Sequence, residues 1–178
     1  MKGSPWFVAI GGFRVKPIGD PKALVKAEGD AASPCQAQIL DASKVAGREH
    51  LFLSAVNAAK STETGLAVSK SITVETLLYA SAQDQITKAL AALGVKVKST
   101  SVALMVFANS RADAEAGYGK AAVLLGEEDD GVLELDDEKA AALKKAYGIG
   151  DAELESAGGD RALGGLIVER GALLSLRR

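Results

Sequence analysis

Four consecutive segments decide how this chain folds: Glu49-His50-Leu51-Phe52-Leu53-Ser54-Ala55-Val56-Asn57-Ala58-Ala59, Ser71-Ile72-Thr73-Val74-Glu75-Thr76-Leu77-Leu78, Gln85-Ile86-Thr87-Lys88-Ala89-Leu90, and Val102-Ala103-Leu104-Met105-Val106-Phe107. Apolar residues recur every three or four positions in the first three and run unbroken in the fourth, so the order is three helices and then a strand. The spacing predicts a helix over 48–60 with Phe52, Ala55, Val56 and Ala59 on its buried stripe. A short helix follows, capped by Ser71 or Thr73, with Val74, Leu77 and Leu78 facing inward. The third helix places Ile86, Ala89, Leu90 and Leu93 on one face and stops at Gly94. Residues 101–107, apolar on both faces, read as a central strand.

Upstream, residues 6–15 read as a strand in which Gly11-Gly12 marks a bulge or a close backbone approach. A short helix over 23–27, a loop at 31–34 and a strand over 36–40 come next. Downstream, residues 113–125 form an Ala-rich helix that Gly117 and Gly119 weaken. Residues 127–131 make an acidic, solvated turn, and 132–135 a short strand. Asp136, Asp137 and Glu138 open a helix, Lys144 and Lys145 sit near its end, and Gly148 stops it. Asp160 caps a last helix running towards Leu176. With no internal repeat and no linker, this is an α/β chain in a single domain over residues 1–178, with few strands and many helices.

The last helix carries two apolar stripes. Leu163, Leu166, Ile167, Arg170 and Leu174 lie on one side, and Gly165, Val168, Ala172 and Leu176 on the other. A helix on the surface of a monomer is polar on its second face, so this one is either wholly buried or waits for a partner. Gly164 and Gly165 would let another backbone come close.

Composition narrows the function. The 178 residues, 48% hydrophobic and 25% charged, are enough for a real core. A net charge of −2 argues against bulk attraction to nucleic acid or anionic lipid and leaves room for a local basic site. The one cysteine, Cys35, fits a reducing compartment, and neither a signal peptide nor a membrane span is expected, so the chain is predicted to be cytoplasmic. Catalytic equipment is sparse. His50 is the only histidine and reads as a helix-start hydrogen bond or a packed ring. Gly117-Tyr118-Gly119-Lys120 lacks the spacing of a phosphate loop, and the acids at 127–130 and 136–138 do not match a calcium loop. Tyr147 is expected to pack on the last helix. No catalytic residue, metal or cofactor is expected.

His50-Leu51 with Ala55 and Ala58, Ser71 followed by Glu75-Thr76-Leu77-Leu78, and Gln85-Ile86 followed by Ala89-Leu90 and Gly94 together resemble the kinase-binding subunits of the KEOPS complex, the family of the PRPK-binding protein. Lys144-Lys145-Ala146-Tyr147 and Val168-Glu169-Arg170-Gly171-Ala172-Leu173-Leu174 are similar to that family's last two helices, so the resemblance spans residues 36–178. It implies a small, mainly antiparallel mixed sheet packed with several helices, and no catalysis. It implies a small atypical kinase as direct partner and the threonylcarbamoyl-transferase subunit as indirect partner. The product would be threonylcarbamoyl-adenosine in tRNA. The Ala-rich middle suits an archaeal member, and archaeal members also help bind the tRNA 3′ CCA end. The family's basic position before the Ser-x-x-x-Glu segment falls on Lys70, whereas Asp84 stands where archaeal relatives commonly carry Arg. On this reading Val168, Ala172 and Leu176 are the kinase contacts, and Lys70, Ile86 and Lys88 the tRNA contacts. Two other readings compete: a small-ligand or enzyme site built from Lys70, Asp84 and His50, and a scaffold that pairs its last helix with a second copy.

Overall fold

Strand β1 (Phe7–Arg14) lies antiparallel to β3 (Ser101–Ala108) in unbroken register from Phe7 opposite Ala108 to Arg14 opposite Ser101. The pair of glycines in β1 therefore makes no bulge. They exist for close approach: a Cβ on Gly11 would run into the Tyr118 hydroxyl, and one on Gly12 would come within 2.7 Å of the Asp129 carbonyl oxygen. The computed structural model describes residues 6–176. Between these strands come helix α1 (Pro21–Ala32), strand β2 (Gln36–Asp41), and helices α2 (Arg48–Thr64), α3 (Ile72–Ser81) and α4 (Ile86–Leu93). After β3 follow α5 (Arg111–Leu125), the two-residue strand β4 (Glu127–Glu128), α6 (Asp137–Tyr147), α7 (Asp151–Ser156) and α8 (Leu163–Ala172). The sheet order is β2-β3-β1-β4, and every pair is antiparallel.

The alternation of β3 explains its unbroken apolar run. Ala103, Met105 and Phe107 join Leu51, Ala55, Ala58, Leu77 and Leu78 in one core beneath α2 and α3. Val102, Leu104 and Val106 join Ala32, Ile39, Ala121 and Leu125 in another, beneath α1 and α5. A third cluster, Leu143, Ile149, Leu154, Leu163 and Ile167, binds α6, α7 and α8 together. The strand is thus buried on both faces by helices, which is what its sequence requires.

Several elements are placed differently from the periodicity. Helix α2 is rotated: His50, Leu51, Ser54, Ala55, Ala58 and Ser61 are its buried residues, and Phe52 is 49% exposed. Ser54 can go inside because its hydroxyl donates to the His50 carbonyl at 2.7 Å. Helix α3 has no outer face to speak of, since Val74 alone among its residues escapes burial. On α4 only Ala89 and Leu93 are buried, leaving Ile86 and Leu90 exposed. Residues 132–135 do not form a strand; a 3₁₀ turn over Asp130–Leu133 occupies that place. Gly117, rather than merely weakening α5, admits the Cys35 side chain, whose Sγ would lie 3.0 Å from a Cβ there.

The acidic turn is also more than solvated surface. Glu127 and Glu128 pair with Arg14 and Phe13 of β1. Asp129 bonds the Arg14 guanidinium, while Asp130 bonds that of Arg48 and also accepts the Gly12 N–H at 2.9 Å. Arg48 in turn donates to the Ile10 carbonyl, and Tyr118 to Glu128. Lys139, buried at the start of α6, donates to the carbonyls of Val132, Leu133 and Glu134 at 3.0, 3.0 and 3.1 Å, closing the turn's end. Burial lowers its pKa to about 8.

Candidate functional site

Two regions carry the residues singled out from the sequence, and both are anchored on α3. Helix α8 lies against α2, α3 and α6. Leu163, Ile167 and Leu174 are buried and Leu166 half-buried, so the expected inner stripe is the inner stripe. The residue that lets α8 sit so close is Gly171, whose Cβ position would collide with the Tyr79 carbonyl oxygen of α3. Gly164 meets only the Ala46 carbonyl at 3.5 Å, and Gly165 faces open space. Arg170 reaches back to Glu153 of α7 with two hydrogen bonds of 2.8 Å.

On the other side of α8, Gly165 is exposed, Val168 and Ala172 are half-buried, and Leu176, in the 3₁₀ turn after the helix, is 80% exposed. This is an apolar strip of one large and two smaller side chains with an open glycine. It can bury apolar area against another protein surface, and it offers no acid, base or metal ligand.

The second region surrounds α3. Lys70 is exposed just before its N-terminus, and Ile86 and Lys88 are exposed on the first turn of α4, beyond its C-terminus. Helix α3 therefore stands between Lys70 and the other two, with an axial length of about 14 Å. Asp84 is exposed in the connection to α4. Ile86 and Lys88 share the first turn of α4 but, two residues apart, point to different sides of it, and Lys70 lies at the far end of α3.

His50 belongs to neither surface. It is 1% exposed; Nδ1 accepts the Ala46 N–H at 3.1 Å, and Nε2 therefore carries the proton donated to the Ala80 carbonyl at 2.8 Å. The Tyr147 ring stands edge-on to it at 6.2 Å, and the Tyr147 hydroxyl donates to the same carbonyl at 2.6 Å. Burial lowers the histidine's pKa to about 4. Both ring nitrogens are used and no solvent reaches them, so a site uniting His50 with Lys70 and Asp84 does not exist in this fold. Tyr147 pins α6 to α3 by the hydroxyl, a contact that the sequence placed on the last helix.

The sequence marks Glu75 only as a family landmark, and the fold gives it a task. It is wholly buried, and its Oε2 accepts the N–H groups of Val68 and Ser69, both at 3.1 Å. The Ser61 hydroxyl donates to Oε1 at 3.4 Å. Glu75 is the one charged residue of α3, which by itself does not tell a buried acid from a solvent-facing one. Among the described residues no cluster of three or more His, Cys, Asp or Glu is placed to hold a metal ion, and no helix is long and apolar enough to cross a membrane.

Comparison with known families gives one result. The profile described as kinase binding protein CGI-121 matches residues 17–174. No curated protein matches the chain.

Proposed function

We propose that this chain, which belongs to the CGI-121 family of kinase-binding proteins, is a non-catalytic subunit of the KEOPS tRNA-modification complex and binds its small atypical kinase through the outer face of α8. The observation that carries this reading is the partly covered apolar strip on the side of that helix away from its core stripe. Leu163, Ile167 and Leu174 fix its orientation in the core, and Val168, Ala172 and Leu176 are left as an apolar strip at the surface. Through the kinase the subunit would meet the threonylcarbamoyl-transferase subunit. Lys70, and separately Ile86 with Lys88, are the candidate contacts to the single-stranded 3′ end of tRNA. The exposed Ile86 side chain offers an apolar surface against which a terminal base could pack.

Calorimetry with the purified kinase tests the main claim. A charge placed in a desolvated contact costs several kcal/mol, enough to abolish a micromolar complex. Leu176→Glu and Val168→Glu are expected to remove binding. Leu176→Glu should leave the melting temperature unchanged because the residue is already in water. Normal kinase binding by both variants overturns the interface. A wild-type chain that sediments as a dimer, and a Leu176→Glu chain that sediments as a monomer, would assign the strip to a second copy instead.

A further inference from the structure

The connection from α2 to α3 is fastened along its whole length. Leu66 and Ala67 donate their N–H groups to the Ser61 carbonyl at 2.9 and 3.1 Å. Val68 and Ser69 donate theirs to Glu75 Oε2, both at 3.1 Å. Ser71 donates its N–H to Ser69 Oγ at 3.1 Å and its hydroxyl to Gln36 Oε1, also at 3.1 Å. Lys70 thus sits between two residues held in place, with its own side chain in solvent. Leu66 and Val68, on the same loop, are exposed apolar side chains.

A carboxyl group withdrawn from water is costly unless it is hydrogen-bonded, and a short solvent-facing loop has little reason to hold one shape. Here the buried acid accepts two of the loop's N–H groups and holds the loop by them. We propose that Glu75 is a positioning residue, which fixes the loop so that Lys70, flanked by Leu66 and Val68, meets a single-stranded RNA end in one arrangement. The inference rests on the RNA contact proposed above for Lys70. A loop already ordered in the free protein spares that ordering cost on binding.

Two variants of the full chain separate reach from charge. Glu75→Asp keeps the carboxyl and draws it one methylene away from the loop, while Glu75→Gln leaves an oxygen at the same reach. The readouts are amide hydrogen exchange at Val68 and Ser69, gel shifts with tRNA and with tRNA lacking its last three nucleotides, and affinity for the kinase. Positioning predicts that Glu75→Asp loses protection at both amides and binds intact tRNA about fivefold or more weakly. It predicts that Glu75→Gln keeps both, and that kinase affinity stays within about twofold in each case. Tighter RNA binding by Glu75→Gln with none lost by Glu75→Asp would mean the acid acts only by charge, overturning the proposal. Parallel losses of kinase affinity and melting temperature in both variants would overturn it too, as a purely structural role. Lys70→Glu distinguishes the premises: if it leaves tRNA binding unchanged, the RNA reading fails. If Lys70→Glu weakens binding while Glu75→Asp frees the amides without weakening it, the positioning role alone fails.

Discussion

Helices α1 and α3 each bury a glutamate, and in every other respect they are built oppositely. Of the ten residues of α3, nine are buried; of the twelve of α1, only Glu28 and Ala32 are. The backbone of α3 is a meeting point: the Ala80 carbonyl accepts from His50 and from Tyr147, and the Tyr79 carbonyl lies against Gly171. Its acid, Glu75, ties down a loop. The acid of α1 ties down nothing. Glu28 is 1% exposed, neither carboxyl oxygen has a partner, and burial raises its pKa to about 7. The contrast separates a hub, on which α2, α4, α6 and α8 all rest, from a flap that covers the far side of the sheet.

The largest test of this contrast is the dependence of stability on pH. Glu28 titrates near 7 in the folded chain against an ordinary 4.5, so its contribution is complete below pH 4.5 and is lost as pH rises through 7. His50 runs the other way. Its pKa falls from 6.5 to about 4, so its contribution is complete above pH 6.5 and is lost as pH falls through 4. Each swing amounts to about 3 kcal/mol. Over pH 4.5–6.5 the two slopes oppose each other and nearly cancel. Removing one should unmask the other: urea titrations should show Glu28→Gln gaining stability with rising pH relative to wild type, and His50→Gln losing it. Parallel curves for all three proteins would show that α1 does not bury a strained acid, and the contrast with α3 would fall.

Next in size is the hub's closest contact. Gly171→Ala forces a methyl against a backbone carbonyl that cannot move aside and should cost about 1–3 kcal/mol in denaturant unfolding. Gly165→Ala, in open space on the same helix, should instead stabilise by up to about 1 kcal/mol. The second substitution also probes the outer face: if the kinase backbone rests on Gly165, the more stable variant binds it less tightly. Equal effects of the two substitutions on stability would remove α3 from its role as the surface on which α8 is seated.

The smallest effect concerns a flaw in the hub. The Thr76 hydroxyl is buried without a hydrogen bond. Thr76→Val keeps the shape, removes the orphan, and should add about 1 kcal/mol to the thermal stability. A loss there would mean that this hydroxyl is satisfied in solution.

These regions also differ in how legible they were. The helices and the central strand could be read because their turn length, stop signals and β-branched run are local properties. The rotation of α2 could not. It buries His50 and Ser54 in preference to Phe52 because hydrogen bonds to Ala46, Ala80 and the helix's own backbone make those polar groups cheap to enclose. Helix α3 has no polar side, so period gave no clue to its packing. The arginine partners of Asp129 and Asp130 lie more than eighty residues away, which is why those acids looked like surface. The apolar strip on α8 was visible in the sequence because its two stripes are both at helical spacing. The role of Glu75 was not, since an isolated glutamate on a short helix resembles solvent-facing decoration.

The clasp formed by the acidic turn bears on how such a chain behaves among many copies of itself. Along the outer side of β1, the Ile10 carbonyl is taken by Arg48, the Gly12 carbonyl by the Asp129 N–H, and the Gly12 N–H by Asp130. Beyond them only two residues of β4 are paired. An edge strand with free backbone groups is a template on which a foreign strand can add, and repeated addition ends in fibres. Here side chains and a turn occupy those groups, and the ion pairs leave a charged rim that repels a flat approach. Strand addition at this edge of the sheet is thereby disfavoured. For a chain of a kinase-binding family, what is closed to recruitment shapes the outcome as much as what is open.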